Sequence, residues 1–445
     1  MWQRGVIAII FAALTIWLGY FVEQEQFLAI IAGYAPFFLL YLFVYVRTEK
    51  AALHFWLGVG VFLRIILLFS FPNLSDDIYR FVWDGHLINH GFNPFDHLPG
   101  YYIENDVLPG VLTPELYNLL NSKEYYTVYP PVLQAIFAVS TWLFPQSIAA
   151  SGVAMKSFLL LGEIGSIWLI GKLLMHFKLP AKNALLYALN PLVIVEVTGN
   201  IHFEGLMVFF LLLAFWWLRS STPKMHIGSA LAMAGSIASK LLPLMFLPFL
   251  IKKMGWRSVR YFTIIGVALL LLFAPLLNGL FFNNFGASLD LYFRRFEFNA
   301  SLFYILEWIY LVVFNEDYVN LFLGPALAFV AFFAIIALVV WRRASWRALP
   351  TSWLFAVSIY LLCTTTVHPW YLCLPVALSV FTNWRYPIAW SGLVVLSYSH
   401  YWGGVFYERF EFIILEYVIL LGYFIYEAFY LRKLFKASRM MSPPG

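Results

Sequence analysis

Long apolar runs, each near the roughly 20 residues a helix needs to cross a hydrocarbon layer, alternate with short polar turns along almost the whole chain. They predict membrane-spanning helices at 6–22, 27–46, 52–71, 151–172, 183–199, 203–219, 261–280, 318–341, 351–367, 369–383, 386–402 and 411–431. The first run has no small-residue cleavage site before the polar Glu23-Gln24-Glu25-Gln26 turn and reads as an uncleaved signal-anchor. The basic turns Arg47–Lys50, Lys172–Lys182, Arg219–Lys224, Lys252–Arg260, Arg342–Arg347, Arg385 and Arg432–Arg439 can all lie on one side. An excess of Lys and Arg marks that side as cytoplasmic, and both termini fall on it.

Parity then constrains the remaining apolar stretches. Region 72–150 must begin and end outside, so Pro131–Phe144 is expected as an interfacial or re-entrant helix. The stretch 226–251 begins and ends at cytoplasmic basic turns and predicts two half-length helices meeting near Ser239-Lys240; Ser301–Phe314 meets the same difficulty on the outer side. Broken backbone at membrane depth survives only against protein or a water-filled cavity, so a cavity opening outward is expected. Lys240 is costly to bury. It is expected as a phosphate contact, a structural anchor or a snorkelling side chain, on the cytoplasmic side by this topology.

Composition narrows the class. With 62% hydrophobic and 11% charged residues, the chain lies outside soluble globular usage and matches a polytopic membrane protein. The net charge of +5 is spread over short clusters, which reports topology and excludes a nucleic-acid-binding surface. Cys363 and Cys373 flank a polar break and give neither a disulfide framework nor a metal motif. No internal repeat, low-complexity linker or soluble domain interrupts the pattern. The expectation is an all-α polytopic membrane protein, one integral domain over 1–445 with the long outer loop 72–150 included.

The polar chemistry falls in the outer segments: 72–150, GNIHFEG at 199–205, 278–300 with its FRRFEFN, TTTVHPWY at 364–371, and 399–409. SDDIYRFVWDGHLINHGFNPF at 75–95 is the most informative. Ser75 can cap a helix with Ile78, Phe81, Val82 and Ile88 on one stripe and Arg80, Trp83 and Asp84 on the other. Arg80 and Asp84, four apart, can pair, and Gly91 can end the helix. Its N-terminal end carries Asp76 and Asp77 to the mouth of the expected cavity. A carboxylate there can take a proton from an acceptor hydroxyl; the alternative is that the acids only favour the first turn of a helix.

SDDIYRFVWDG, the GFNPF turn and YYTVYPPVLQ are followed in order by ALNPLVIVEVTGNIHFEGLMVFFLLLA, ASKLLPLMFLPFLI and VHPWYLCLPVALS. This ordered set resembles the bacterial polyprenyl-phosphate-mannose-dependent mannosyltransferases of the C-type (GT-C) glycosyltransferase superfamily, from about the third span to the twelfth. The resemblance implies a bundle of roughly 12–14 transmembrane helices with interfacial helices on the first outer loop. It also implies transfer of a sugar, mannose first, from a polyprenyl-phosphate carrier to a hydroxyl of a glycan or glycolipid acceptor. The reaction is inverting and takes place on the non-cytoplasmic side of an inner or plasma membrane. An acidic residue of the first outer loop acts as base, which maps onto Asp76 and Asp77, with Asp76 favoured and Asp77 orienting hydroxyls. The lipid-linked donor is a substrate, so no cofactor is expected; membrane lipids are the other partners, and nucleic acid is not one.

Substrate contacts are expected from Arg80, Asp84 and Tyr129, with Tyr129-Pro130-Pro131 fixing how the loop re-enters the membrane. His202 and Glu204 sit on a short outer turn and are expected on sugar hydroxyls or on the catalytic loop. Arg294 and Arg295 offer planar donor forks suited to the carrier phosphate, or simple headgroup contact. His368, Trp370 and Tyr371 form either a wall for a sugar or isoprenyl face or an aromatic belt. His86 and His90 are four apart with Asp84, Asp96 and His97 nearby, but no HExxH arrangement or downstream cluster completes a ligand set, so no metal is expected. Two other classes remain: a transporter or lipid-linked sugar flippase, which predicts an internal repeat, and a non-catalytic scaffold, which would tolerate neutral replacement of both acids.

Overall fold

A computed structural model describes residues 2–220, 222–294, 296–314 and 320–440. Among them the chain is helical throughout, with no strand beyond an isolated parallel bridge between Phe298 and Thr366. Among the described residues, seven helices are long and apolar enough to cross a membrane: Trp2–Phe21, Phe27–Arg47, Lys50–Leu67, Ile148–His176, Arg257–Leu276, Phe322–Trp341 and Phe410–Lys433. Each corresponds to an expected apolar run, and the protein is a multi-pass, all-α membrane protein.

The remaining expected runs are made of shorter helical pieces. Pro191–Gly199 and Glu204–Leu218 meet at a bend of 110°. The first piece opens at Asn190-Pro191, where Asn190 Oδ1 accepts the Leu192 amide at 3.0 Å, and closes in a π turn over Ile194–Gly199. Leu349–Cys363 stops after 15 residues where Thr364 turns extended, and Pro369–Leu372 and Cys373–Ser379 are short turns with almost every side chain buried. Segments enclosed by protein need not match the bilayer in length, and their broken backbone is tolerated there. The break near Ser239-Lys240 is present: the 17-residue helix Pro223–Ser239 ends, Lys240 is extended, and the chain resumes at Leu242–Phe246 and Leu247–Met254. Pro131–Leu143 and Leu302–Phe314 are helices of 13 residues each, too short to span alone.

Buried apolar side chains from Phe11 to Leu420 form one continuous cluster, and buried charges inside it are paired. Arg64 and Glu163 meet at 2.9 Å, both without exposure, and the Tyr187 hydroxyl donates to the same carboxylate at 2.6 Å. Lys156 donates to the carbonyls of Leu67 and Ser70 at 3.0 and 2.6 Å. Those carbonyls lie at the C-terminal end of the third span, so a cation fits there on both hydrogen-bonding and dipole grounds. This fixes the point from which the 75–95 segment leaves.

That segment forms the helix Asp77–Asn89, packed against Pro131–Leu143. Phe81 stacks on Phe137 with centroids 4.6 Å apart. Gly85 permits the approach, because a Cβ there would sit 2.5 Å from the Phe137 carbonyl oxygen. Gly91, at φ +82°, ends the segment as expected. The start differs from expectation by one residue: Asp76 occupies the cap position, and Ser75 Oγ accepts only the Asp77 amide, at 3.4 Å.

Candidate active site

The breaks in helical backbone converge. The segments 75–77, 121–133, 201–204, 239–242, 296–298, 364–371 and 400–406 line one cavity of about 600 Å³. Asp76, Asp77, Tyr129, His202, Glu204, His368, Trp370 and Tyr371 all contribute to its wall. These residues come from the segments expected on the outer side, and the bends bring them to one wall.

The two acids are not equivalent. Asp77 accepts a hydrogen bond from Asn121 Nδ2 at 3.0 Å, which holds its carboxylate in place. Asp76 faces the cavity, and its carboxylate has no hydrogen bond among the described residues. Shielding by the surrounding protein raises the Asp76 pKa above the ordinary carboxylate range, and the negative charges of Asp77 and Glu25 raise it further. An acid of this kind is a stronger base when ionised than a solvated one.

Arg80 and Asp84, expected on substrate, are elsewhere. They pair with each other at 2.8 Å with exposures of 2% and 0%. Arg80 also donates to the carbonyls of Ser122 and Tyr125, and Asp84 accepts from Thr127 Oγ1 at 2.5 Å and Gln134 Nε2 at 2.9 Å. Every strong partner of the pair comes from the returning strand of the loop, so the i,i+4 pair pins 122–134 onto the Asp77–Asn89 helix and does not reach the cavity. His90 Nδ1 lies 2.8 Å from the His86 carbonyl, and no group of three or more metal-ligating side chains forms among the described residues.

His202 and Glu204 are buried, at 3% exposure each, instead of standing on a surface turn. The 110° bend carries them inward. The His202 ring stacks on Trp370 at 3.6 Å, and Trp370 stacks on His368 at 4.3 Å, giving three nearly parallel rings. His202 Nδ1 lies 3.1 Å from Glu196 Oε2, and the other oxygen of Glu196 accepts from Tyr398 at 2.8 Å. Glu204 is ion-paired to Lys240, whose ammonium lies 4.2 Å from the centre of the Tyr371 ring.

Lys240 therefore shares a cavity with Asp76 and Asp77, whereas the basic turns put it on the opposite side from them. The Pro223–Ser239 helix enters with a basic turn at its start but delivers its far end to the cavity. Counting basic clusters fixes the side of a turn and says nothing about the depth a broken helix reaches. Arg295 lies outside the described residues, and Arg294 closes the helix Phe281–Arg294 with its side chain outside the description. Neither belongs to the described wall.

Several wall residues carry no sequence signal of their own. Asn121, Tyr125, Glu297, His400 and Tyr401 are among them. Glu297 sits between two phenylalanines of FRRFEFN, and its carboxyl is pushed up to about 7, by burial first and by Glu307 and Glu408 after it. The strip around it is tied to the 364–367 segment: the Phe298 amide donates to Thr365 at 3.0 Å, and the Val367 amide to Phe298 at 2.8 Å.

Fold and cavity thus define a multi-pass membrane protein with a polar, aromatic-walled site fed by carboxylates and one lysine. The family model described as alpha-(1->6)-mannopyranosyltransferase, N-terminal domain, matches residues 8–256, more than half of the chain, and the chain belongs to that family. This agrees with the resemblance to the C-type mannosyltransferases. The chain is 24% identical over 197 residues to alpha-(1->6)-mannopyranosyltransferase A of Corynebacterium glutamicum, covering 44% of this chain and 37% of that protein. It is 22% identical over 409 residues to the protein of the same name from Mycobacterium tuberculosis, covering 85% of this chain and 72% of that one. The chain therefore spans little more than a third of the length of the first of these relatives. The family match includes Asp76, Asp77, His202, Glu204 and Lys240, while Glu297, His368 and Trp370 lie beyond it.

Proposed function

We propose that this protein is a membrane mannosyltransferase that takes mannose from a polyprenyl-phosphate carrier and passes it to an acceptor hydroxyl on the non-cytoplasmic side, with inversion at the sugar carbon. The relatives named above carry the mannosyl specificity in their names. One observation carries the mechanism: the Asp76 carboxylate faces the cavity without a hydrogen-bond partner among the described residues, beside an Asp77 held by Asn121. In an inverting displacement the base removes the proton from the incoming hydroxyl, the new C–O bond forms opposite the departing phosphate, and the phosphate leaves with the bonding pair. Asp76 has the freedom and the proton affinity for the first task, and Asp77 is positioned to orient a hydroxyl.

Negative charge collects on the leaving phosphate and calls for a cation. Lys240 is the one Lys or Arg among the described residues that line the cavity, and we assign it this role beside Arg294 and Arg295, whose side chains lie outside the described residues. The stacked rings of His202, Trp370 and His368 present their edges as an aromatic side to the cavity, along which a sugar ring or the first isoprene unit can lie. The donor carries a single phosphate, which would share the Lys240 ammonium with Glu204.

The test is transfer of radiolabel from polyprenyl-phosphate mannose to a crude lipid and glycan extract by purified protein. Wild type moves the label, and Asp76→Asn retains donor binding while transfer falls by about two orders of magnitude or more, the scale of a lost general base. Near-normal transfer by Asp76→Asn removes the base assignment. Passage of the intact donor across vesicles, with no label reaching any acceptor, would favour the flippase reading instead.

A further inference from the structure

A second cavity, of about 580 Å³, lies apart from the first, between the Leu349–Cys363 helix, the Asn383-Trp384 turn and the C-terminal span. Its depth is apolar and aromatic. Trp384 stacks on Phe424 at 5.4 Å, Phe355 meets Trp384 edge-on at 5.2 Å, and Phe429 completes the wall. Its rim is cationic. Arg342 and Arg432 both line it, and each stands at the C-terminal end of a span, Phe322–Trp341 and Phe410–Lys433.

Neither guanidinium forms an ion pair among the described residues. Arg342 lies over the Phe355 ring at 5.5 Å and makes one long hydrogen bond, 3.4 Å, from its Nε to Ser352, leaving its terminal nitrogens for another acceptor. The nearby acid Glu427 is already engaged: its two oxygens accept the backbone amides of Arg385 and Tyr386 at 2.6 and 3.0 Å, at the start of the Tyr386–Leu393 helix. Glu427 keeps its charge but both its oxygens are occupied there, and neither Arg342 nor Arg432 is paired with it among the described residues. Phe429, at 62% exposure, continues the apolar wall onto the outer face of the C-terminal span, which a water-soluble anion would have no reason to contact.

We propose that this cavity binds one anionic phospholipid, its headgroup phosphate between Arg342 and Arg432 and the upper part of an acyl chain along Phe355, Phe424 and Phe429. Guanidinium forks at headgroup level suit phosphate oxygens, and aromatic side chains below them suit the glycerol and first methylenes. The site is independent of the catalytic reading. A lipid there holds the C-terminal span against the Leu349–Cys363 helix, whose far end leads into the TTTVHPWY wall of the first cavity.

Native mass spectrometry of the full chain in detergent, doped in turn with phosphatidylglycerol, phosphatidylethanolamine and free glycerol phosphate, tests the proposal. Wild type is expected to retain one phosphatidylglycerol at a concentration where phosphatidylethanolamine is lost, with free glycerol phosphate failing to compete. Arg342→Gln/Arg432→Gln is expected to bind phosphatidylglycerol roughly tenfold or more weakly, the scale of two basic contacts at a lipid surface. Ala428→Trp, which fills the cavity and keeps both arginines, should lose it as well, and Arg342→Lys/Arg432→Lys should keep part of it. Equal retention of the two lipids by wild type, or undiminished phosphatidylglycerol binding by both the Gln pair and Ala428→Trp, overturns the proposal. Effective competition by free glycerol phosphate overturns the lipid assignment in favour of a soluble anion.

Discussion

Asp76 and Asp77 are adjacent acids with different surroundings, and the difference assigns their work. Asp77 spends one oxygen on Asn121; Asp76 is left to the cavity with its pKa raised by burial, by Asp77 and by Glu25. A base is active when ionised, so a raised pKa places the acid limb of the rate profile above the ordinary aspartate value of about 4. Removing a neighbouring negative charge lowers that pKa and moves the limb to lower pH. Glu25→Gln should do this with the plateau rate unchanged, and Asp77→Asn should move the limb further while also disturbing substrate contacts. The pH dependence of label transfer measures both, and a limb fixed in place in the two variants would mean that another group titrates. At this scale the sequence displayed the acid pair but not its neighbours. Counting basic turns separates Lys240 from the acids it meets in the cavity, and Glu297, His400 and Tyr401 are indistinguishable in sequence from interface residues, because a polar residue flanked by aromatics is also what a membrane boundary looks like.

The Asp77–Asn89 helix and the returning loop are one unit, joined by the Arg80–Asp84 pair and the Phe81–Phe137 stack. Breaking a buried pair from one side leaves an uncompensated charge, which costs about 3–5 kcal/mol, whereas replacing both partners by apolar groups costs far less. Asp84→Ala should therefore lower the thermal unfolding midpoint and open 121–134 to protease, and Arg80→Met/Asp84→Leu should recover only the part due to the unpaired charge, because Thr127, Gln134 and the Ser122 and Tyr125 carbonyls still lose their partners. Full recovery by the double replacement would show that the bonds to 122–134 do not hold the loop. Sequence spacing revealed that Arg80 and Asp84 could pair, and the helix, its glycine stop and the short Pro131–Leu143 helix were all readable from periodicity. That the pair faces inward was not readable. Its acceptors are backbone carbonyls more than 40 residues away, and backbone carbonyls leave no mark in a sequence.

Across the whole molecule, the basic turns predict that 72–150 and the cavity mouth lie on the non-cytoplasmic side. Single cysteines at Asn105 and at Ser345, in a chain whose buried Cys363 and Cys373 are replaced by serine or alanine, give the direct check. Asn105→Cys should react with a membrane-impermeant maleimide on intact cells, and Ser345→Cys only after permeabilisation. The reverse pattern would place the catalytic chemistry in the cytoplasm and defeat the carrier-lipid reading.

The amino-acid sequence by itself determined the environment, the long spans, the places where a span must break and the acidic segment beside the third of them. These follow from local quantities: run length against bilayer thickness, the position of Lys and Arg, and the parity of crossings. Which broken ends meet was decided only by the tertiary structure. The 110° bend before Glu204, the extended Lys240 and the short buried turns at 369–379 point to one place because each must find protein partners for backbone that lipid cannot satisfy. That shared need gathers Asp76, His202, Lys240 and Trp370 from four distant segments around a single hollow.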